Sequence, residues 1–204
     1  MLLGAVVAGT LFALIALAGL ALSAIVCKNI VPFDDGPAPG RPPRIVLIGG
    51  GFALGLSVWL GGANATEIAI AAVLDLALVA IWASDVRCGI IPDYFTLVPL
   101  AGLVILRVWL RQWDFVISTV VVSLPFALSA ALSGGRGMGW GDVKLAALGG
   151  ATLGSYLALA AFVAGSVIAL LVAWMRGRTS APIAFGPYLS GAIGVALAAG
   201  IRGV

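Results

Sequence analysis

The stretch "LLGAVVAGTLFALIALAGLALSAIV", residues 2–26, carries no charged residue. As a helix it would reach about 37 Å, more than the ~30 Å hydrocarbon core of a bilayer. It is too long for the apolar core of a signal peptide, and no basic residue precedes it. The expectation is a retained transmembrane helix. The rest of the chain repeats the pattern. Of its 204 residues, 62% are hydrophobic and 9% charged, against roughly 25% charged in an average soluble domain. So short a chain has no core large enough to hide that many apolar residues. The ten-residue alternating segments of a transmembrane β-barrel are missing. The fold class expected is all-α: a polytopic membrane bundle.

Eight apolar segments are legible, at about 3–27, 44–61, 66–83, 94–111, 114–133, 143–156, 157–175 and 185–202. The sixth and seventh share one long run, divided only by "LGSY" at 153–156. The longest loop, "KNIVPFDDGPAPGRPPR" (28–44), is rich in Pro and Gly and reads as an extended linker. Residues 1–65 are expected to form two N-terminal helices with this loop, and residues 66–204 a six-helix core. A seven-helix count, with the sixth and seventh segments as one very long tilted helix, is the alternative; it would move Arg176 and Arg178 across and erode the charge bias by which the positive-inside rule tests the count, so eight is kept. With the 28–44 loop in the cytosol, that side holds Lys28, Arg41, Arg44, Arg87, Arg136, Lys144, Arg176 and Arg178. The opposite side holds Arg107, Arg111 and Arg202, and both termini lie outside. The net charge of +3 follows from this topology, and no nucleic-acid partner is implied.

The chemistry available is narrow. The chain has no histidine, which removes Ser-His and Cys-His nucleophilic chemistry and HExxH zinc sites. Cys27 and Cys88 lack CxxC spacing, so no cysteine zinc site, metal or cofactor is expected. Both lie near cytosolic helix ends, where a disulfide is not expected.

Eight acidic residues remain to be weighed. Asp34 and Asp35 lie in the first loop, and Glu67 and Asp114 begin helices, where the macrodipole favours an acid. Asp85 ends the third segment, "AAVLDLALVAIWAS", and opens "DVRCGIIPD" (85–93). Pro92 stops a helix there, and Asp93 is expected to cap the next one. Asp142 lies in "GMGWGDVKL" (137–145), behind Gly137, Gly139 and Gly141. An acid at a helix start needs no such glycines. They make room for a partner helix, a substrate backbone or a movement. Two segments separate Asp85 from Asp142, so parity returns both to one membrane face. Two carboxylates there can share a proton: one protonates a carbonyl oxygen while the other takes a proton from water. Asp75 lies about 15 Å deeper along the same helix as Asp85, and a structural hydrogen bond inside the bundle is expected for it.

These stretches are similar to motifs of the type IV prepilin peptidases. "GMGWGDVKL" resembles that family's GxGxGDxKL pattern, "DVRCGIIPD" its first aspartate motif, and "IAFGPYLSGA" (183–192) its C-terminal Phe-Gly-Pro motif. A lone GxGD would be weak, but three motifs in order over about residues 66–202 are strong. The resemblance implies a GxGD intramembrane aspartyl protease of the bacterial inner membrane, with no metal or cofactor. It would cut the basic leader of prepilins or pseudopilins after a glycine, at the cytosolic face. Asp85 and Asp142 would be its catalytic pair. Gly139, Gly141, Lys144, Pro92, Asp93, Phe185, Gly186 and Pro187 would bind substrate or shape the site. Bifunctional members also carry a cytosolic domain with paired CxxC motifs and N-methylate the new N-terminus. The first loop here is too short for that domain, which puts N-methylation in doubt.

Several roles stay open on the sequence alone. Lys144 could bias the aspartate pair or meet lipid headgroups. Ser84 could bond Asp85 or cap its helix. Phe185, Gly186 and Pro187 form a helix-entry turn or line the substrate, with Tyr188 beside them. Cys88 reads as a bystander. The alternative function is a small transporter or channel using Asp75 as a proton or ion site. A Ser/Lys protease would need Ser84 or Ser133 opposite Lys144, and a non-catalytic scaffold would not need both aspartates.

Overall fold

The computed structural model describes residues 2–29, 40–133, 138–177 and 184–199. Asp34, Asp35, Arg136, Gly137, Arg178, Ile183 and Arg202 lie outside the described residues. Among the described residues all regular structure is helical, in order α1 (Leu2–Lys28), α2 (Arg44–Leu60), α3 (Ala65–Cys88), α4 (Asp93–Trp109), α5 (Trp113–Leu132), α6 (Trp140–Met175) and α7 (Gly186–Ala198). α1, α3, α5 and α6 are long and apolar enough to cross a membrane. The protein is a polytopic helical membrane protein.

The long run containing "LGSY" resolves into two arms. Within α6, Gly154 has φ 76° and ψ 171°, a region open essentially to glycine alone. A Cβ on Gly149 would strike the Phe162 ring. Thirteen residues of straight helix would hold these two about 20 Å apart, so the chain folds back at Gly154 and the arms pack antiparallel. The division expected at 153–156 is this hairpin. Breaking the helix frees carbonyls, and Arg107 of α4 meets them. It is only 3% exposed, donates to the Ala151 and Thr152 carbonyls at 3.4 and 3.5 Å and to Gln112 Oε1 at 2.6 Å, and its guanidinium lies 3.8 Å over the Phe115 ring. The sequence reading placed Arg107 as a loop charge. It is a buried clamp on the hairpin.

Glycines and alanines set the helix spacing elsewhere, as is usual where no hydrophobic driving force separates helix from lipid. Gly55 of α2 packs on the Ala8 carbonyl of α1, and Gly19 of α1 on the Leu76 carbonyl of α3. Arg87, near the end of α3, donates to the Leu20 carbonyl at 2.8 Å and to Ser23 Oγ, tying α3 to α1. Asn64 and Glu67 form a reciprocal capping box at the start of α3, so Glu67 has the helix-start role expected of it. The main core joins α3 to α7, including Ile81, Leu148, Phe162 and Ile193.

Candidate active site

Asp85 sits in the last turn of α3, 7% exposed. α3 stops three residues later because Gly89 adopts the left-handed conformation, with φ 65°. The Gly186 N–H, at the start of α7, donates to Asp85 Oδ2 at 3.0 Å. A helix start offers unsatisfied N–H groups and a positive dipole end, both suited to a carboxylate. Gly186 has no room for a side chain: its Cβ would stand 2.7 Å from Oδ2 and 2.9 Å from Cγ of Asp85. Pro187 follows in the first turn, where a missing N–H costs nothing, and Phe185 packs against the main core. The Phe-Gly-Pro turn is thus the helix-entry turn that the sequence left open, with Pro187 and Tyr188 also lining the groove, and it holds the aspartate as well.

Asp142 lies in the first turn of α6, within electrostatic reach of Asp85. No hydrogen bond joins the two carboxylates directly among the described residues. Gly139 is the N-cap of α6, and the Asp142 N–H donates to its carbonyl at 3.1 Å. Gly141 takes a different part. Its Cβ would stand 2.9 Å from Cβ of Ile91, so the connection between α3 and α4 closes on the start of α6. Of the three uses open to these glycines, that of Gly141 is room for a partner segment.

The structure gives Asp93, Lys144, Ser84 and Asp75 partners or surroundings other than those expected. Asp93 is not a cap: Pro92 occupies the N-cap of α4, which has no side-chain cap bond. Asp93 instead forms an ion pair with Lys144 at 2.5 Å. Lys144 is thereby tied to the α4 start. Ser84 donates to the Ile81 carbonyl at 3.0 Å, so it neither bonds Asp85 nor caps the helix. Asp75 lacks the internal hydrogen bond expected of it, because its Oδ2 is buried without a partner among the described residues. Cys27 and Cys88 are both free thiols, and each points at the Ser84 carbonyl, at 3.9 and 3.1 Å. No cluster of three His, Cys, Asp or Glu side chains able to hold a metal occurs among the described residues.

A groove of about 1370 Å³ runs beside Asp85. Its walls come from α2, α3, the second arm of α6, and α7, with Gly50, Asp75, Trp82, Gly165, Tyr188 and Gly194 among the residues lining it. Of the two aspartates of the pair, only Asp85 lines it. Asp142 comes from the other side, on the first arm of α6.

Comparison with known proteins gives one answer. The model of the type IV leader peptidase family matches residues 72–174, half of the chain, including both Asp85 and Asp142. Two curated relatives, each named "Prepilin leader peptidase/N-methyltransferase", come from Burkholderia pseudomallei strains 1026b and K96243. Each is 32% identical over 166 residues, covering 76% of this chain and 53% of its own length. The chain therefore spans about half the length of the curated relatives it matches. No solved structure matches it. Matching over half its length and carrying both aspartates inside the match, the chain belongs to the type IV leader peptidase family.

Proposed function

We propose that the protein is an intramembrane aspartyl endopeptidase that removes the basic leader of a type IV prepilin or pseudopilin. Residues 66–204 form the proteolytic core. The observation that carries this reading is the paired placement of Asp85 and Asp142. One carboxylate is fixed by the Gly186 N–H at 3.0 Å, and the other lies within its field from a second helix. In the reaction, the ionised carboxylate takes a proton from water as the water oxygen attacks the scissile carbonyl carbon. The protonated carboxyl gives its proton to the carbonyl oxygen. Collapse of the resulting diol breaks the C–N bond, and the amine leaves with a proton. No metal is required.

The groove beside Asp85 seats the apolar helix that follows the leader. Its walls are mostly Gly, Ala and aliphatic side chains, which suit a membrane helix. The excess of Lys and Arg on the Asp85 side supports a cytosolic orientation of that end in an inner membrane, facing a leader that has not been exported. The transporter reading has only Asp75 to support it.

The test is cleavage of a prepilin by the wild type and by Asp85→Asn and Asp142→Asn, with membrane accumulation followed in parallel. Each substitution should lower kcat by at least about 100-fold while the protein still accumulates. Full cleavage by either variant overturns the reading. The wild-type pH profile should show two apparent pKa values belonging to the pair.

A further inference from the structure

Asp75 has no part in the catalytic pair, yet its placement is specific. It is 5% exposed and Oδ2 has no hydrogen-bond partner among the described residues. Buried polar atoms in native proteins nearly always have one, so the missing donor needs a source. The surroundings supply none. A Cβ on Gly51 of α2 would lie 3.0 Å from Asp75 Oδ2, 3.0 Å from the Ala16 Cβ and 2.9 Å from the Phe12 carbonyl, itself an acceptor. The polar atoms placed beside Oδ2 are thus acceptors like itself, so the protein supplies no donor there. Asp75 and Gly51 both line the groove that reaches Asp85, so Asp75 borders whatever occupies the groove, with Gly51 beside its Oδ2.

We propose that Asp75 is a specificity residue that accepts a hydrogen bond from a hydroxyl or amide side chain on the membrane helix of the substrate. The inference rests on the reading of the groove as the seat of that helix. Asp75 and Asp85 are ten residues apart on α3, about 15 Å along its axis. A helical substrate lying along α3, with its scissile bond at Asp85, brings its residue about ten positions past the cut level with Asp75. The enzyme therefore favours substrates with Ser, Thr, Asn or Gln near that position of an otherwise apolar segment. The reward is large because a buried acceptor left unpaired is costly.

The experiment uses the full chain in liposomes and substrates with a cleavable leader followed by a Leu/Ala helix. A single Ser or Asn is walked from about the sixth to the fourteenth residue past the cut. For the wild type, kcat/KM should peak near the tenth residue, at least about fivefold above the all-apolar helix. Asp75→Leu should abolish the peak, and Asp75→Asn, which keeps an acceptor oxygen, should retain part of it. A flat wild-type profile, or an unchanged peak in Asp75→Leu, overturns the inference and leaves the protease reading standing. Failure of the wild type to cleave any of these substrates overturns both. Should Asp75→Leu not accumulate, a benzoylphenylalanine at the tenth residue of the substrate decides. Crosslinks to α3 around residue 75 support the proposal, and crosslinks only elsewhere overturn it.

Discussion

Gly186 does for the site what no side chain in the sequence announces. Its N–H holds the Asp85 carboxylate at 3.0 Å, and its missing side chain is what allows the approach. Gly186→Ala would place a methyl 2.7 Å from Oδ2, so one of the two must move. Catalytic groups displaced by about 1 Å can cost on the order of 10²-fold in rate. We therefore expect Gly186→Ala to lower kcat at least tenfold, with a smaller change in KM, in a leader-cleavage assay. Wild-type kinetics from this variant would mean that the clamp does not position Asp85. The Asp93–Lys144 pair is the contrasting case. Its side chains are 57% and 31% exposed, and pairs of this kind contribute at most about 1 kcal/mol. The proximity of Asp85 and Asp142 was legible because motif and parity both pointed to it. Gly186 was marked as a site residue by its motif, but its contact with Asp85 was not, because the two are 101 residues apart and no local pattern says which N–H a distant carboxylate will find. Asp93 was misread because capping chemistry is judged locally, whereas its partner Lys144 lies on another helix.

At the scale of elements, the hairpin within α6 decides whether the Asp142 arm is held in place. The sequence marked the break by a weak signal, and the structure gives its cause in one residue, Gly154. A Cβ at this backbone conformation costs about 1–3 kcal/mol, so Gly154→Ala should lower thermal stability in detergent by that amount. Arg107 should matter more. Arg107→Leu removes the donor from two hairpin carbonyls and from Gln112, and leaving buried acceptors unpaired costs about 1–3 kcal/mol each. Arg107→Lys should rescue little, since a point charge cannot span the acceptors that a planar guanidinium reaches. Both are measured by the unfolding midpoint of the purified protein, and an unchanged midpoint for Arg107→Leu would remove the clamp. Positive-inside counting hid this residue, because it treats every arginine near a helix end as a loop charge. It did group Arg87 with Lys144, and these lie at the helix ends that carry Asp85 and Asp142.

On the scale of the whole molecule, the helices make a bundle with one side left open, and the groove is that opening. Apolar periodicity could not reveal it, because lipid-facing and groove-facing surfaces are equally apolar. Two glycines test whether the groove carries the substrate. Gly50 on α2 and Gly194 on α7 both line it, and a Cβ on either would meet nothing within 4 Å. Leucine at these positions fills the groove without disturbing the fold. Gly49, next to Gly50, is equally unobstructed but does not line the groove, so Gly49→Leu is the matched control. If the substrate helix lies here, Gly50→Leu and Gly194→Leu should each raise KM for a full-length prepilin about tenfold, or about 1.4 kcal/mol of binding. Gly49→Leu should leave it unchanged. A short peptide spanning only the scissile bond should be cut at the same rate by all three, because it does not enter the groove. Equal KM values for the full-length substrate across the three variants would put the substrate helix elsewhere and leave the aspartate pair untouched. A loss for the short peptide as well would show that leucine had disturbed the site itself, so the comparison of the two substrates separates occupancy of the groove from damage to the aspartate pair.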